Sequence, residues 1–237
     1  MKAIVSVVLL GLLNTAVAQN NPVIVELFTS QGCSSCPAAD RNLTEILAKS
    51  QTDGNAVYGL SFHVDYWNYI GWKDPYSSKI FTERQRSYAE VLKLQSIYTP
   101  QMIVNGQYEF VGSNKGEADR AIKNSLGLKS AYKIKIDGIT RDGNHIIVLY
   151  SIGTNPKGEF VNLAVVEKRV ENYVAKGENR GKQLHHDNVV RAFKTVALQE
   201  HGSIELEIDL INTPDASLIL YIQNKQFQVL SAASVAL

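Results

Sequence analysis

Two cysteines, Cys33 and Cys36, stand in the stretch FTSQGCSSCPAAD from Phe28 to Asp40, and the chain has no others. Their surroundings constrain the fold more than any other feature. Ahead of them, PVIVELFTS from Pro22 to Ser30 is β-branched and aromatic, the pattern of a buried strand. Behind them, CPAADRNLTEILAKS carries Leu43, Ile46 and Leu47 at helical spacing, which predicts a helix starting near the cysteines. A strand, a turn holding Cys-x-x-Cys and a helix follow one another directly.

What two such thiols can do depends on the compartment. Residues 1–18, MKAIVSVVLLGLLNTAVA, have one positive charge at Lys2, an apolar run from Ala3 to Leu13 and small residues at Ala16 and Ala18. This is the layout of a signal peptide cleaved after Ala18. The run is shorter than the ~20 residues a membrane-spanning helix needs. The expectation is an exported protein, periplasmic or secreted and not membrane-embedded after cleavage, in a compartment that permits disulfides. A formal net charge of +1 and the lack of any Lys/Arg run argue against a nucleic-acid partner.

In that setting three readings of the pair stay open. A structural disulfide gains little from so short a loop: roughly 2 kcal/mol for four residues against about 4.7 for a hundred in the chain-entropy model. A metal site has only two cysteine ligands to draw on, and His63 is the candidate third ligand for Cu(I). Redox exchange requires the short spacing, because the second thiol must reach the mixed disulfide formed by the first. Unpaired N–H groups and the dipole at a helix N-terminus favour a thiolate. Cys33 is therefore expected as the exposed nucleophile, and Cys36, one turn into the helix, as the buried resolving thiol. Ser34-Ser35 between them bring hydroxyls and no cation.

Further along, AVYGLSFHVDY (56–66) reads as a second strand, and YTPQMIVNGQYEFVGS (98–113) as a hairpin turning at Asn105-Gly106. GSNKGEADRAIKNSL (112–126) places Ala118, Ala121, Ile122 and Leu126 on one helical face. The order β, α, β, α, β, β, α with Thr99-Pro100 before the third strand resembles the thioredoxin fold, here with a helical insertion. That resemblance implies a cis bond at Pro100, with Thr99 and Pro100 shaping a substrate groove. VELFTSQGCSSCPAAD, SFHVDYWNYIGWKDP, YTPQMIVNG and the later GENRGKQLHHDNVVR together resemble the exported thioredoxin-like proteins grouped as domain of unknown function 1223.

Gln31-Gly32 before the pair and Ser-Ser within it depart from ordinary thioredoxins, so neither potential nor partner carries over. By the same resemblance, Glu26 on the first strand is a candidate for the buried acid that moves a proton from the resolving thiol, although its spacing is one residue longer; otherwise it is a polar residue at a strand edge. Strand alternation puts Leu60, Phe62, Val64 and Tyr66 on one face and Ser61, His63 and Asp65 on the other. His63 and Asp65 are candidates for proton transfer or, equally, for holding the next loop. That loop, YWNYIGWKDPYSS, is dense in aromatics: a peptide-binding surface or a small core under a lid. A helix follows with Ser77 or Ser78 as cap.

Beyond about residue 130 six strand-like runs follow, among them SIELEIDLI, in which Ile204, Leu206, Ile208 and Leu210 alternate with Glu205, Glu207 and Asp209. The expected organisation is a signal peptide (1–18), a thioredoxin-like domain (19–129) and an all-β sandwich-like domain (130–237). Within the latter, 174–190 reads as a long polar loop with Arg180, His185 and His186: an interdomain connector or surface loop with solvated histidines, or a segment folded over the thioredoxin-like half so that Arg180 or a histidine stabilises the Cys33 thiolate. The leading functional expectation is thiol-disulfide exchange on protein thiols or disulfides through Cys33 and Cys36, with a membrane redox partner as one electron source and no dissociable cofactor. The alternatives are a Cu(I) metallochaperone using Cys33, Cys36 and His63, and a non-catalytic binding module.

Overall fold

The computed structural model describes residues 22–128, 132–208 and 215–237. The signal-peptide segment, the expected domain junction at 129/130 and the Asp209–Leu210 end of the alternating run lie outside the described residues.

The β-branched run forms β1 (Val23–Thr29), buried throughout as its composition predicts. After the cysteine turn comes α1 (Cys36–Asp53), with Pro37 in its first turn, where a missing N–H costs nothing, and Gly54 closing it in the left-handed region. Then follow β2 (Val57–His63), α2 (Lys79–Leu92), β3 (Gln101–Val104), β4 (Tyr108–Val111) and α3 (Lys115–Leu126). Ser78 caps α2 through its hydroxyl. Asn105 and Gly106, both at positive φ, and Gln107 make the three-residue hairpin turn between β3 and β4, which closes on the Val104–Tyr108 pair.

The second half is β5 (Lys135–Asp142), β6 (His145–Ser151), β7 (Phe160–Tyr173), β8 (Gln183–Ala197), β9 (His201–Glu207), β10 (Ala216–Gln223) and β11 (Val229–Ala236). β8 begins six residues before VVRAFKTVAL (189–198), one of the six strand-like runs of the sequence, and β11, rich in Ser and Ala, is not among those runs.

Four of these later strands join the first half in one eight-stranded mixed sheet, ordered β11-β10-β7-β8-β2-β1-β3-β4; β5, β6 and β9 form a separate antiparallel sheet. The seam is parallel pairing of β2 with β8 at Ser61 and Val189, reinforced by the Asn188 amide donating to the Gly59 carbonyl. One face of the large sheet carries Ile24, Phe28, Phe62, Val166 and Tyr221 against α2, so this core draws on both halves of the chain. On the other face, α1 and α3 pack over Val25, Leu27 and Met102, and the three-stranded sheet packs over Leu163, Val165 and Leu220. The sandwich-like layering exists, but its larger layer is continuous with the α/β half. No helix among the described residues is long and apolar enough to cross a membrane.

Candidate functional site

Cys33 and Cys36 are joined in a disulfide, with Cα atoms 5.4 Å apart. α1 starts at Cys36 itself, so Cys33 lies in the turn ahead of the helix rather than on its first residue. The expectation of an exposed Cys33 fails: it is 1% exposed and Cys36 0%, although Ser34 and Ser35 between them are exposed. The cause is the tip of the β7–β8 hairpin, residues 174–182, which folds over the cysteine turn. Asn179, fully buried, donates from its amide to the carbonyls of Gln31 (2.9 Å) and Cys33 (2.8 Å), and Glu178 accepts from the Ser34 N–H (3.0 Å). Ser34, through its side chain and its backbone N–H, holds the exposed Glu178 carboxyl below its ordinary value. Arg180, two residues on, is exposed.

The aromatic loop after β2 forms the wall under this cover. A Cβ at Gly32 would meet Trp67 and Ile70 at 3.1 Å, and one at Gly177 would meet Ile70 at 3.0 Å, so the cysteine turn and the hairpin tip each pack closely on the loop at a glycine. Of the loop's aromatic residues only Tyr69, at 82%, is exposed. The Trp67 indole donates to the Thr99 hydroxyl (2.7 Å), and the Thr99–Pro100 bond is cis, with Pro100 buried.

Glu26, on the face of β1 opposite α1, is across the sheet from the cysteines. Its carboxylate takes two hydrogen bonds from Arg84 (2.6 and 2.7 Å) and one from Tyr88 (2.6 Å). Asp65 is also displaced, because β2 ends at His63; its carboxylate accepts from Thr82 of α2 (2.6 Å).

His63 does face the α1 side, where it enters a buried polar cluster that sequence reading did not assemble. Its Nδ1 is 2.7 Å from Asp74 Oδ2, which also accepts the Gln31 N–H (2.8 Å). Its ring meets that of His186 edge-on at 4.6 Å. His186 Nδ1 lies 3.4 Å from Asp40 Oδ2, an ion-pair distance without hydrogen-bond alignment, and Asp40 Oδ1 accepts from the Thr29 hydroxyl (2.9 Å). Burial opposes charge on both His186 and Asp74. The carboxylates of Asp40, Asp74 and Asp187 nevertheless raise the His186 pKa, and His63 and backbone N–H groups lower that of Asp74.

Two signals for this cluster were present in the sequence. Asp40 follows Cys36 by four residues on the apolar face of α1, and His186 shares its inward strand face with Leu184 once β8 is taken to begin at Gln183. His185 points outward, pairing with Glu171 and Asp187. The described residues offer no group of three or more His, Cys, Asp and Glu placed to hold a metal ion, and His63 is directed to Asp74 rather than to sulfur.

The family of proteins of unknown function DUF1223 matches residues 24–223. The chain belongs to this family. No curated protein matches it. Among solved structures, a crystal structure of a protein from Agrobacterium tumefaciens is similar over 92% of this chain and 96% of its own, at 28% identity and a TM-score of 0.65. HBP35 of Porphyromonas gingivalis shares the fold at 13% identity and a TM-score of 0.66, over 93% of this chain and 76% of its own.

Proposed function

We propose that the protein is an exported thiol-disulfide exchange protein of thioredoxin-like design, whose reactive pair is Cys33 and Cys36 and whose β7–β8 hairpin tip is a removable cover. The observation that carries this reading is the Cys33–Cys36 disulfide at the start of α1, lying just beneath exposed serines and capped by a strap held through the Asn179 and Glu178 hydrogen bonds. The order β1-α1-β2-α2-β3-β4-α3 and the cis Thr99–Pro100 bond ahead of β3 support it, and the leader-like first eighteen residues support export.

In the oxidising direction a substrate thiolate attacks Cys33 Sγ, the Cys33–Cys36 bond breaks, and Cys36 leaves as a thiolate. A second substrate thiolate then attacks the substrate sulfur of the mixed disulfide and displaces Cys33. Two electrons end on the cysteine pair and the substrate carries the new disulfide. The reverse sequence reduces a substrate disulfide.

Replacing Cys36 with Ala leaves Cys33 unable to be resolved. Expressed in the exporting cell, Cys36→Ala is expected to accumulate mixed disulfides on Cys33 that thiol reagents release. Recovery of no adduct, where a known exchanger yields them, overturns the reading. Metal analysis of the purified reduced protein then tests the Cu(I) alternative directly.

A further inference from the structure

On the α2 side of the large sheet, away from the cysteines, α2, the β7–β8 pair and the β10–β11 turn enclose a cleft of about 390 Å³. Its apolar walls are Phe160, Phe193, Phe227 and Ile80, the last of them 60% exposed. Arg84 also lines it, through a side chain that is only 7% exposed. Nε and Nη2 make every hydrogen bond of this guanidinium, to Glu26, Tyr88, Tyr221 and Gln223. Nη1 has no partner among the described residues, yet it is not one of the fully buried atoms left without one. It therefore keeps contact with solvent, and the cleft is where Arg84 is open. A guanidinium does not lose its proton, so both N–H groups of Nη1 remain donors.

Nothing else in the cleft answers them. The Thr195 hydroxyl donates to Asn162 Oδ1 (2.6 Å), and the Asn162 amide donates to Gln223 Oε1 (3.0 Å). The walls are held as firmly. The Phe193 ring stands 4.6 Å from the guanidinium carbon. Phe227 sits at φ 61, a backbone region costly for a bulky residue, with its carbonyl accepting from the Gln223 amide and its ring edge-on to Tyr88 at 5.0 Å. Strain of this kind persists only where the surroundings hold it, and ligand clamps are one such place.

Charge decides which ligand fits. Glu26 already neutralises Arg84, at 2.6 Å. At the rim, Lys194 donates to the Glu205 carbonyl and Glu83 pairs with Arg86, so neither is a free counter-ion. An anion would lose hydration here with no net positive charge to receive it. An uncharged acceptor escapes that penalty and still gains a charge-assisted hydrogen bond from Nη1. Aromatic walls favour a flat ring. At about 30 Å³ for each water-sized unit, the space holds roughly a dozen non-hydrogen atoms, within the range of small-molecule sites.

We infer that this cleft binds a small, uncharged aromatic carbonyl compound, with the carbonyl oxygen on Arg84 Nη1 and the ring between Phe160, Phe193 and Phe227. The site is independent of thiol-disulfide exchange, and its test needs neither cysteine.

The oxidised full chain is titrated with α-tetralone, a bicyclic aryl ketone, and binding is read from NMR shifts of the Ile80 methyl groups and from their Overhauser contacts with ligand ring protons. Binding at Ile80 is expected. Tetralin, the same rings without the carbonyl, is expected to bind about tenfold more weakly, as for the loss of one hydrogen bond to a charged donor. Naphthoate is expected to bind more weakly than the ketone. Arg84→Lys keeps a cation beside Glu26 but has no Nη1, and is expected to lower the ketone to the affinity of tetralin. Ser87 lines the cleft, and its hydroxyl returns only to the Glu83 carbonyl of its own helix (3.0 Å). Ser87→Trp therefore fills the cleft without breaking a contact between elements, serves if Arg84→Lys fails to fold, and is expected to abolish the ligand-induced Ile80 shifts. No binding of α-tetralone at Ile80, shifts that survive Ser87→Trp, or equal affinity for ketone and tetralin overturns the site. Tighter binding of naphthoate than of the ketone overturns the assignment to an uncharged ligand.

Discussion

The eight-stranded sheet carries a buried polar cluster on each face, and the two are built on opposite principles. On the α2 side, Glu26, Arg84, Tyr88, Tyr221 and Gln223 close on one another, and none of their fully buried polar atoms lacks a partner. Arg84 is further enclosed by the rings of Phe62, Tyr88, Phe193, Tyr221 and Phe227, 4.6 to 5.9 Å from its guanidinium carbon. On the α1 side, His63 Nε2 and His186 Nδ1 are buried without an aligned hydrogen bond. A satisfied network fixes one arrangement, whereas an incompletely satisfied one leaves a proton somewhere to go. The first cluster ties α2 and β10 to β1 and so joins the halves of the chain. The second lies where chemistry is expected.

The largest effect that would sharpen this contrast is Arg84→Met. Removing Arg84 leaves Glu26 buried without its counter-ion, and the expected loss is roughly 3–5 kcal/mol in urea unfolding. The titration of Cys36 in the reduced protein, read by alkylation, should not move. A shift in that titration would mean that the faces communicate and that the division of labour is wrong. Tyr221→Phe is the milder version. It deletes a hydroxyl that accepts from Arg84 at 2.8 Å and donates to Glu26 at 3.3 Å, for an expected cost of about 1–3 kcal/mol. Alkylation rates at both cysteines should again match wild type.

The contrast also explains what the sequence made legible. Period and punctuation located β1, the cysteine turn, α1 and the Asn105-Gly106 hairpin, because each is decided by its own residues. The face of β2 carrying His63 was legible for the same reason. Asp65 was not, because the strand stops at His63 and the chain turns toward Thr82. The seam between β2 and β8 has no local signature, since Ser61 and Val189 lie far apart in the chain. The cover over Cys33 depends on where a fourteen-residue and a fifteen-residue strand end, and polar residues such as Gln183 and His185 masked the start of the second. Asp74 became visible only through the atoms that converge on it.

The smallest expected effect is a difference in pH dependence that separates the clusters. His186 has a folded-state pKa above its ordinary 6.5, because the nearby carboxylates outweigh burial. Its contribution to stability is therefore fully present below about pH 6.5 and is lost as pH rises through the folded value, a slope of at most about one proton. Asp74 works in the other direction: with its pKa lowered below 3.8, it contributes above that pH and the contribution is lost as pH falls through the folded value. On the opposite face, burial holds Tyr88 and Tyr221 well above 10.0, so the contribution of these two tyrosines falls only as the unfolded chain ionises in alkali. Urea unfolding of the oxidised protein between pH 5 and 9 is expected to show the His186 slope in wild type, its absence in His186→Gln and its persistence in Tyr221→Phe. A slope that survives His186→Gln would assign the titration to another group and remove the feature that distinguishes the α1-side cluster as the responsive one.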